Sequence, residues 1–183
     1  RQKQAGDFGL FSLIQKTVRS PRTGEIRAVQ SLQFPHWVLL LALTPQEKVV
    51  MVRQFRHGTE EICLELPGGL VDLGDDFPEL CARRELLEET GYQAGEVICL
   101  GECCPQPAIL TNKCFFYLAR NVDRVQAQDL DAGEDIEVLE VPLKVIPEKI
   151  RNGQMYYCNA PLVVGMYEFQ LNRLSSSFIK DFN

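Results

Sequence analysis

Residues 65–92 read ELPGGLVDLGDDFPELCARRELLEETGY, and no other stretch restricts the fold as strongly. The spacing predicts a helix from about Pro78 to Thr90. Proline suits a first turn, Asp76 is the candidate N-cap and Gly91 is a natural stop. At 100° per residue, Glu85, Glu88 and Glu89 fall within an arc of about 100°. The small residues Cys81 and Ala82 share that arc, while Leu80 and Leu87 point elsewhere. Two carboxylates about 5 Å apart repel by about 3 kcal/mol at an effective dielectric of 20. Three together force a proton onto one of them unless something compensates. Arg83 and Arg84 supply part of that compensation.

The plain alternative is a solvated helix face laced with ion pairs. The preceding ELPGGLVDLG favours a different reading. Glycines let a backbone approach a ligand closely and expose its carbonyls. A carbonyl with several carboxylates makes a hard-oxygen site, whose natural occupant is Mg²⁺ or Mn²⁺. Such an ion converts the repulsion into binding energy and attracts a second anion, a phosphate.

The chain has 183 residues, enough for one well-buried core. Its net charge of −6 argues against a nucleic-acid partner, which would call for a basic face. The longest apolar run, WVLLLAL (37–43), is far short of a membrane span and suits a strand, so no membrane partner is expected. The N-terminus has neither an initiator Met nor the apolar core of a secretory signal, so translation is not expected to start at Arg1. The seven cysteines show no paired metal-ligand spacing. Reduced thiols in a cytoplasmic protein are the expectation.

Strand-like runs fill the first third: LFSLIQKTVR, IRAVQSLQF, WVLLLAL, KVVMVRQF and ICLEL, separated by the turns SPRTGE and TPQE. EVICLGEC, CFFYLAR and IEVLEVPL continue the pattern after the helix. Two helical stretches close the chain, IPEKIRNG and PLVVGMYEFQLNRL. In the second, Leu162, Met166, Phe169 and Arg173 recur at helical spacing as a packing stripe. The fold class is mixed α/β.

The stretch RELLEETGY, from Arg84 to Tyr92, resembles the second half of the Nudix hydrolase signature in full. The first half departs from it. Counted from Gly69, the acidic position falls on Asp75, with one residue too many before Arg84; counted back from Arg84, it falls on Asp76. The extra residue precedes Pro78, so the register of the three glutamates is unaffected. The resemblance implies an α/β/α sandwich with a mixed sheet over residues 36–183. Residues 1–35 would form an antiparallel β segment that exchanges between the subunits of a homodimer.

The flanks VRQFRHGTEEICLELPGGLVD and PQPAILTNKCFFYLA resemble the subgroup acting on ADP-ribose and ADP-sugars. The resemblance implies Mg²⁺ (or Mn²⁺) held by Glu85, Glu88, Glu89 and the Gly68 carbonyl, with Glu88 and Arg84 close to the chemistry. It implies a further acid in DLDAGEDIEVLEVPL that assists the metal or the attacking water, with Glu134 first and Asp131 or Asp135 as alternatives. Arg56 is the candidate phosphate contact and Arg53 its competitor, since guanidinium grips phosphate through two bonds. Glu65 and Pro107, fifteen residues beyond Tyr92, complete the expected substrate set. His57 reads as structural. The implied reaction is hydrolysis of the phosphoanhydride of a nucleoside diphosphate sugar. Another nucleotide substrate, or a silent nucleotide-binding module, are the rival readings.

Overall fold

The computed structural model describes residues 2–72, 77–155 and 160–175. The strands are β1 (Gln2–Asp7), β2 (Ser12–Arg19), β3 (Ile26–Gln33), β4 (Trp37–Leu43), β5 (Lys48–Arg56), β6 (Glu61–Glu65), β7 (Tyr92–Gln93), β8 (Glu96–Cys103), β9 (Cys114–Arg120), β10 (Asp123–Arg124) and β11 (Ile136–Pro142). The helices are α1 (Pro78–Thr90), α2 (Ile146–Arg151), which follows a 3₁₀ turn at Leu143–Val145, and α3 (Ala160–Ser175).

The central sheet runs β11-β5-β4-β9-β8, with β6 also paired to β5. It is mixed: β4 and β9 are parallel, from Trp37↔Cys114 to Leu43↔Arg120, and the other pairings are antiparallel. The unbroken apolar run of β4 follows from its position. Val38, Leu40 and Ala42 pack towards α1, whereas Leu39, Leu41 and Leu43 pack towards α2 and α3. A strand covered on both faces has no polar side to display. Phe116 and Leu118 of β9 join the α3 side, and Tyr117 and Ala119 the α1 side. The result is the expected α/β/α sandwich.

β1, β2 and β3 form a separate antiparallel sheet. It is tied to the rest where Leu32 N–H meets Ile109 O at 2.8 Å and Thr111 N–H meets Leu32 O at 3.1 Å. β1 was not foreseen, because QKQAGD offers no apolar alternation. The two-residue strands β7 and β10, which pair with each other, were also missed.

Two expectations about helices change. Phe77, extended at φ −140°, ψ 144°, holds the N-cap position of α1 without a side-chain bond, and Asp76 lies outside the described residues. In α3 the buried face is Ala160, Val163, Val164 and Tyr167, while Leu162 is 45% exposed. The helix starts at Ala160 and the set i, i+3, i+4, i+7 counts from there, so the apolar stripe is displaced from the one expected. Met166 is only partly buried, and the side chains of Phe169 and Arg173 lie outside the described ones. Among the described residues, no helix is long and apolar enough to cross a membrane.

Leu41, fully buried between β9 and α3, is expected to cost about 2–5 kcal/mol on truncation to alanine in urea unfolding. Leu162→Ala should stay within about 0.5 kcal/mol. Equal losses would show that the packing face of α3 is wrongly assigned.

Candidate functional site

The segment after β6 lies along β4. Leu40 N–H donates to Pro67 O at 3.0 Å and Val38 N–H to Gly69 O at 2.9 Å. This alternation turns the N–H and C=O of Gly68 away from β4, towards α1. Gly68 has no room for a side chain, and a side chain at Gly69 would displace the Glu85 carboxylate. A Cβ at Gly68 would stand 2.1 Å from Val38 O, and one at Gly69 would stand 2.2 Å from the Glu85 carboxylate. The glycine pair therefore lets α1 press its glutamates against the backbone beside β4.

Contrary to a solvated face, the stripe turns inward at Glu89 and Glu85, while Glu88 at its rim stays partly exposed. Glu89 is 4% exposed and accepts the Gly68 N–H at 2.9 Å. Burial pushes its carboxyl from 4.5 up to about 8; the Gly68 bond opposes the shift and the charges of Glu85 and Glu134 add to it. Glu85 rises to about 7, again chiefly through burial, with Arg84 opposing and Glu88 and Glu134 reinforcing. Both shifts have one sign. The stability these carboxyls contribute is complete below pH 4.5 and is lost as pH climbs through about 7 and 8. At neutral pH the site therefore favours anything that brings positive charge.

Arg84 brings some of it. Its Nη1 lies 2.9 Å from Glu88 Oε2 and 3.1 Å from Glu85 Oε1, and its Nη2 3.2 Å from Asp72 Oδ2. Arg83 faces away, bonded to Glu79 and to the carbonyls of Ala94 and Gly95.

Glu85, Glu88 and Glu89 line one wall of a cleft of about 310 Å³, with Gly68, Gly69, Leu70, Asp72 and Arg84. Asp129, Asp131 and Glu134 of the loop before β11 line it too, as do Gln54 and Arg56 of β5. Glu134 Oε2 accepts the Asp131 N–H at 3.0 Å, and the Glu134 N–H returns to Asp131 O at 3.0 Å. Of the alternatives in this loop, Asp135 is the one placed outside the cleft, beside Arg53. Arg56 is gripped through Nε and Nη2 by the buried Glu65, at 2.9 and 2.6 Å, which fixes the guanidinium at the cleft. Glu65 thus reaches the cleft only through Arg56.

Two expected substrate residues stand elsewhere. Arg53 points from the opposite face of β5 and pairs with Glu137. Strand alternation separates it from Gln54 and Arg56. Pro107 is exposed in the loop between β8 and β9, and it does not line the cleft. Asp75 and Asp76 lie outside the described residues. Gln54, Leu70, Asp72 and Asp129 were not foreseen. The period of two along β5 was available to pick Gln54 alongside Arg56, whereas the loop acids carry no periodic signal.

Among the described residues, no three His, Cys, Asp or Glu side chains converge at ion-binding distance. The donor chemistry nevertheless fits a hard divalent cation. Two carboxyls are held well above their usual range, and a backbone carbonyl projects on their side of Gly68. The oxygens are all of the hard type that Mg²⁺ and Mn²⁺ prefer.

Comparison with known proteins agrees with this geometry. A solved ADP compounds hydrolase superposes with a TM-score of 0.83 over 95% of this chain and 93% of its own, at 18% identity, which establishes likeness of fold. The GDP-mannose pyrophosphatase of Escherichia coli (strain K12) is 39% identical over 128 residues, covering 64% of each chain. That of Enterobacter sp. (strain 638) is 37% identical over 128 residues, with the same coverage. The chain spans 64% of the length of these curated relatives. The NUDIX domain family matches residues 34–157, a span that holds the glycine pair, the glutamate helix and the acidic loop, and the chain belongs to that family.

Proposed function

We propose that this chain hydrolyses the phosphoanhydride bond of a nucleoside diphosphate sugar, releasing a nucleoside monophosphate and a sugar phosphate, with Mg²⁺ as its cation and Mn²⁺ as a substitute. The observation that carries this reading is the buried Glu89 and the half-buried Glu85, packed against Gly68–Gly69 within an acidic cleft. A cleft so acidic repels a diphosphate unless cations stand between the two. The two relatives named as GDP-mannose pyrophosphatases support a sugar nucleotide as substrate. The subgroup resemblance of the flanks favours ADP-ribose.

Glu85, Glu88, Glu89 and the Gly68 carbonyl would hold the metal. When bound, a divalent cation supplies positive charge to the diphosphate and acidifies a water molecule. The chain's own residues do the remaining work. Arg84 keeps Glu85 and Glu88 in place by bonding both. Glu134, across the cleft, is assigned as acceptor of the proton that the attacking water gives up, with Asp131 bracing it. Arg56, oriented by Glu65, is assigned to a phosphate oxygen. Water oxygen bonds to phosphorus as the bridging P–O bond breaks, and the leaving phosphate carries away the bond electrons.

The sheet β1–β3 is assigned to a homodimer. The turn between β1 and β2 exposes Phe8 (62%) and Leu10 (55%), and the far end of β3 exposes Ile26 (61%), apolar surface that a partner would cover. Light scattering at micromolar concentration should give twice the chain mass; a monomer mass would refute this assignment.

Product analysis on ADP-ribose, ADP-glucose and GDP-mannose tests the activity directly. Cleavage to monophosphate and sugar phosphate is expected with Mg²⁺ and not in chelator. Glu89→Gln should lower turnover by about a hundredfold or more, since it removes a metal-facing charge. It should leave the fold intact, because the glutamine oxygen still accepts the Gly68 N–H. Near-normal turnover in that variant would show the metal assignment to be wrong, and no cleavage of any substrate would refute the proposed activity.

A further inference from the structure

The C-terminal turn of α1 leaves the carbonyls of Glu88 and Glu89 without partners inside the helix. Both are satisfied by the segment leading into the acidic loop. Asp129 N–H donates to Glu88 O at 2.9 Å. The Gln128 side chain donates Nε2 to Glu89 O at 2.6 Å, and the same nitrogen donates to Ile136 O at 3.0 Å. Ile136 is the buried first residue of β11, where the loop ends.

One amide nitrogen therefore ties three places together: the residue before the loop, the residue after it, and the helix turn carrying Glu89. The chemistry of position 128 is closely matched to this task. Both acceptors are carbonyl oxygens, and a primary amide has two N–H donors. A carboxylate there would face two acceptors with none to give.

The clamp matters because what it holds is unfavourable on its own. Asp129, Asp131 and Glu134 are carried to the wall opposite Glu85 and Glu89, and Glu134 acts on both of those carboxyls through its charge. Like charges across a cleft push the loop outward. The bonds that Asp131 and Glu134 make lie within the loop and do not anchor it to α1.

We propose that Gln128 is a positioning residue: by bridging Glu89 O and Ile136 O it holds the acidic loop over the glutamate helix at a fixed separation. The proposal rests on the function assigned above for its kinetic consequence, but not for its structural one.

The test compares the wild-type chain with Gln128→Ala and with the isosteric Gln128→Glu. In the metal-free proteins, hydrogen–deuterium exchange should rise at residues 129–135 in both variants and stay unchanged in β4 and β9. Mn²⁺ affinity, read by electron paramagnetic resonance, should fall about tenfold to a hundredfold, the usual loss when support behind a ligand is removed. On a substrate that wild type cleaves, kcat should drop by a similar factor while KM stays within about twofold. Unchanged loop exchange and Mn²⁺ affinity in both variants would overturn the proposal, as would loss of protection throughout the core, which would make Gln128 a folding determinant instead. Should wild type cleave none of the substrates, the assigned activity fails while the exchange and Mn²⁺ measurements still decide the role of Gln128.

Discussion

The contact between Glu89 and the Gly68 N–H, at 2.9 Å in a nearly closed environment, is the interaction around which the site is organised. It exists because residues 67–69 extend along β4 and leave the Gly68 amide facing α1. It also sets how close the helix approaches: a side chain at Gly69 would meet the Glu85 carboxylate, while at Gly68 it is the β4 backbone that leaves no space. A carboxylate so placed is costly to ionise. Its shift to about 8 and that of Glu85 to about 7 are consequences of this packing. The fold spends stability to hold two acids where a cation will repay it.

The rest of the site is arranged to keep those acids from dispersing. Arg84 spans Glu85, Glu88 and Asp72 from within the helix. Glu65, itself buried, fixes Arg56 at the edge of the cleft. The loop of Asp129, Asp131 and Glu134 is fastened to the last turn of the same helix. Each device is local, and each is anchored to α1 or to a strand adjoining β4. This explains how a sheet buried on both faces can carry an acidic cleft along one edge of its helical layer.

Much of the fold was legible in the sequence because burial on two faces leaves an unmistakable run. WVLLLAL and CFFYLAR became β4 and β9 with the bounds the sequence indicates, and EVICLGEC, legible from its β-branched and apolar residues instead, became the largely exposed edge strand β8. The helix of glutamates ends at Gly91, whose φ of 75° and position 2.2 Å (Cβ to Gln126 O) exclude other residues without strain. Polar QKQAGD and the two-residue strands carry no such pattern, because their order comes from pairing partners elsewhere in the chain. In the site, spacing alone brought Glu85, Glu88 and Glu89 together. Arg53 was not separable from Arg56 by residue type, and only their opposite sides of β5 distinguish them. Pro107 sits off the cleft in the β8–β9 loop, which is bonded to Leu32 of β3, a contact between residues far apart in sequence.

The central claim is that Glu89, and Glu85 in part, keep their protons near neutral pH until a divalent cation takes them. Calorimetric titration of Mg²⁺ at pH 7, in two buffers of different ionisation heat, measures this directly, since metal uptake by protonated ligands releases protons. The account predicts net proton release on binding that diminishes above pH 8 and is reduced in Glu89→Gln. Binding at pH 7 with no proton release, or with release unaltered by that substitution, would contradict it.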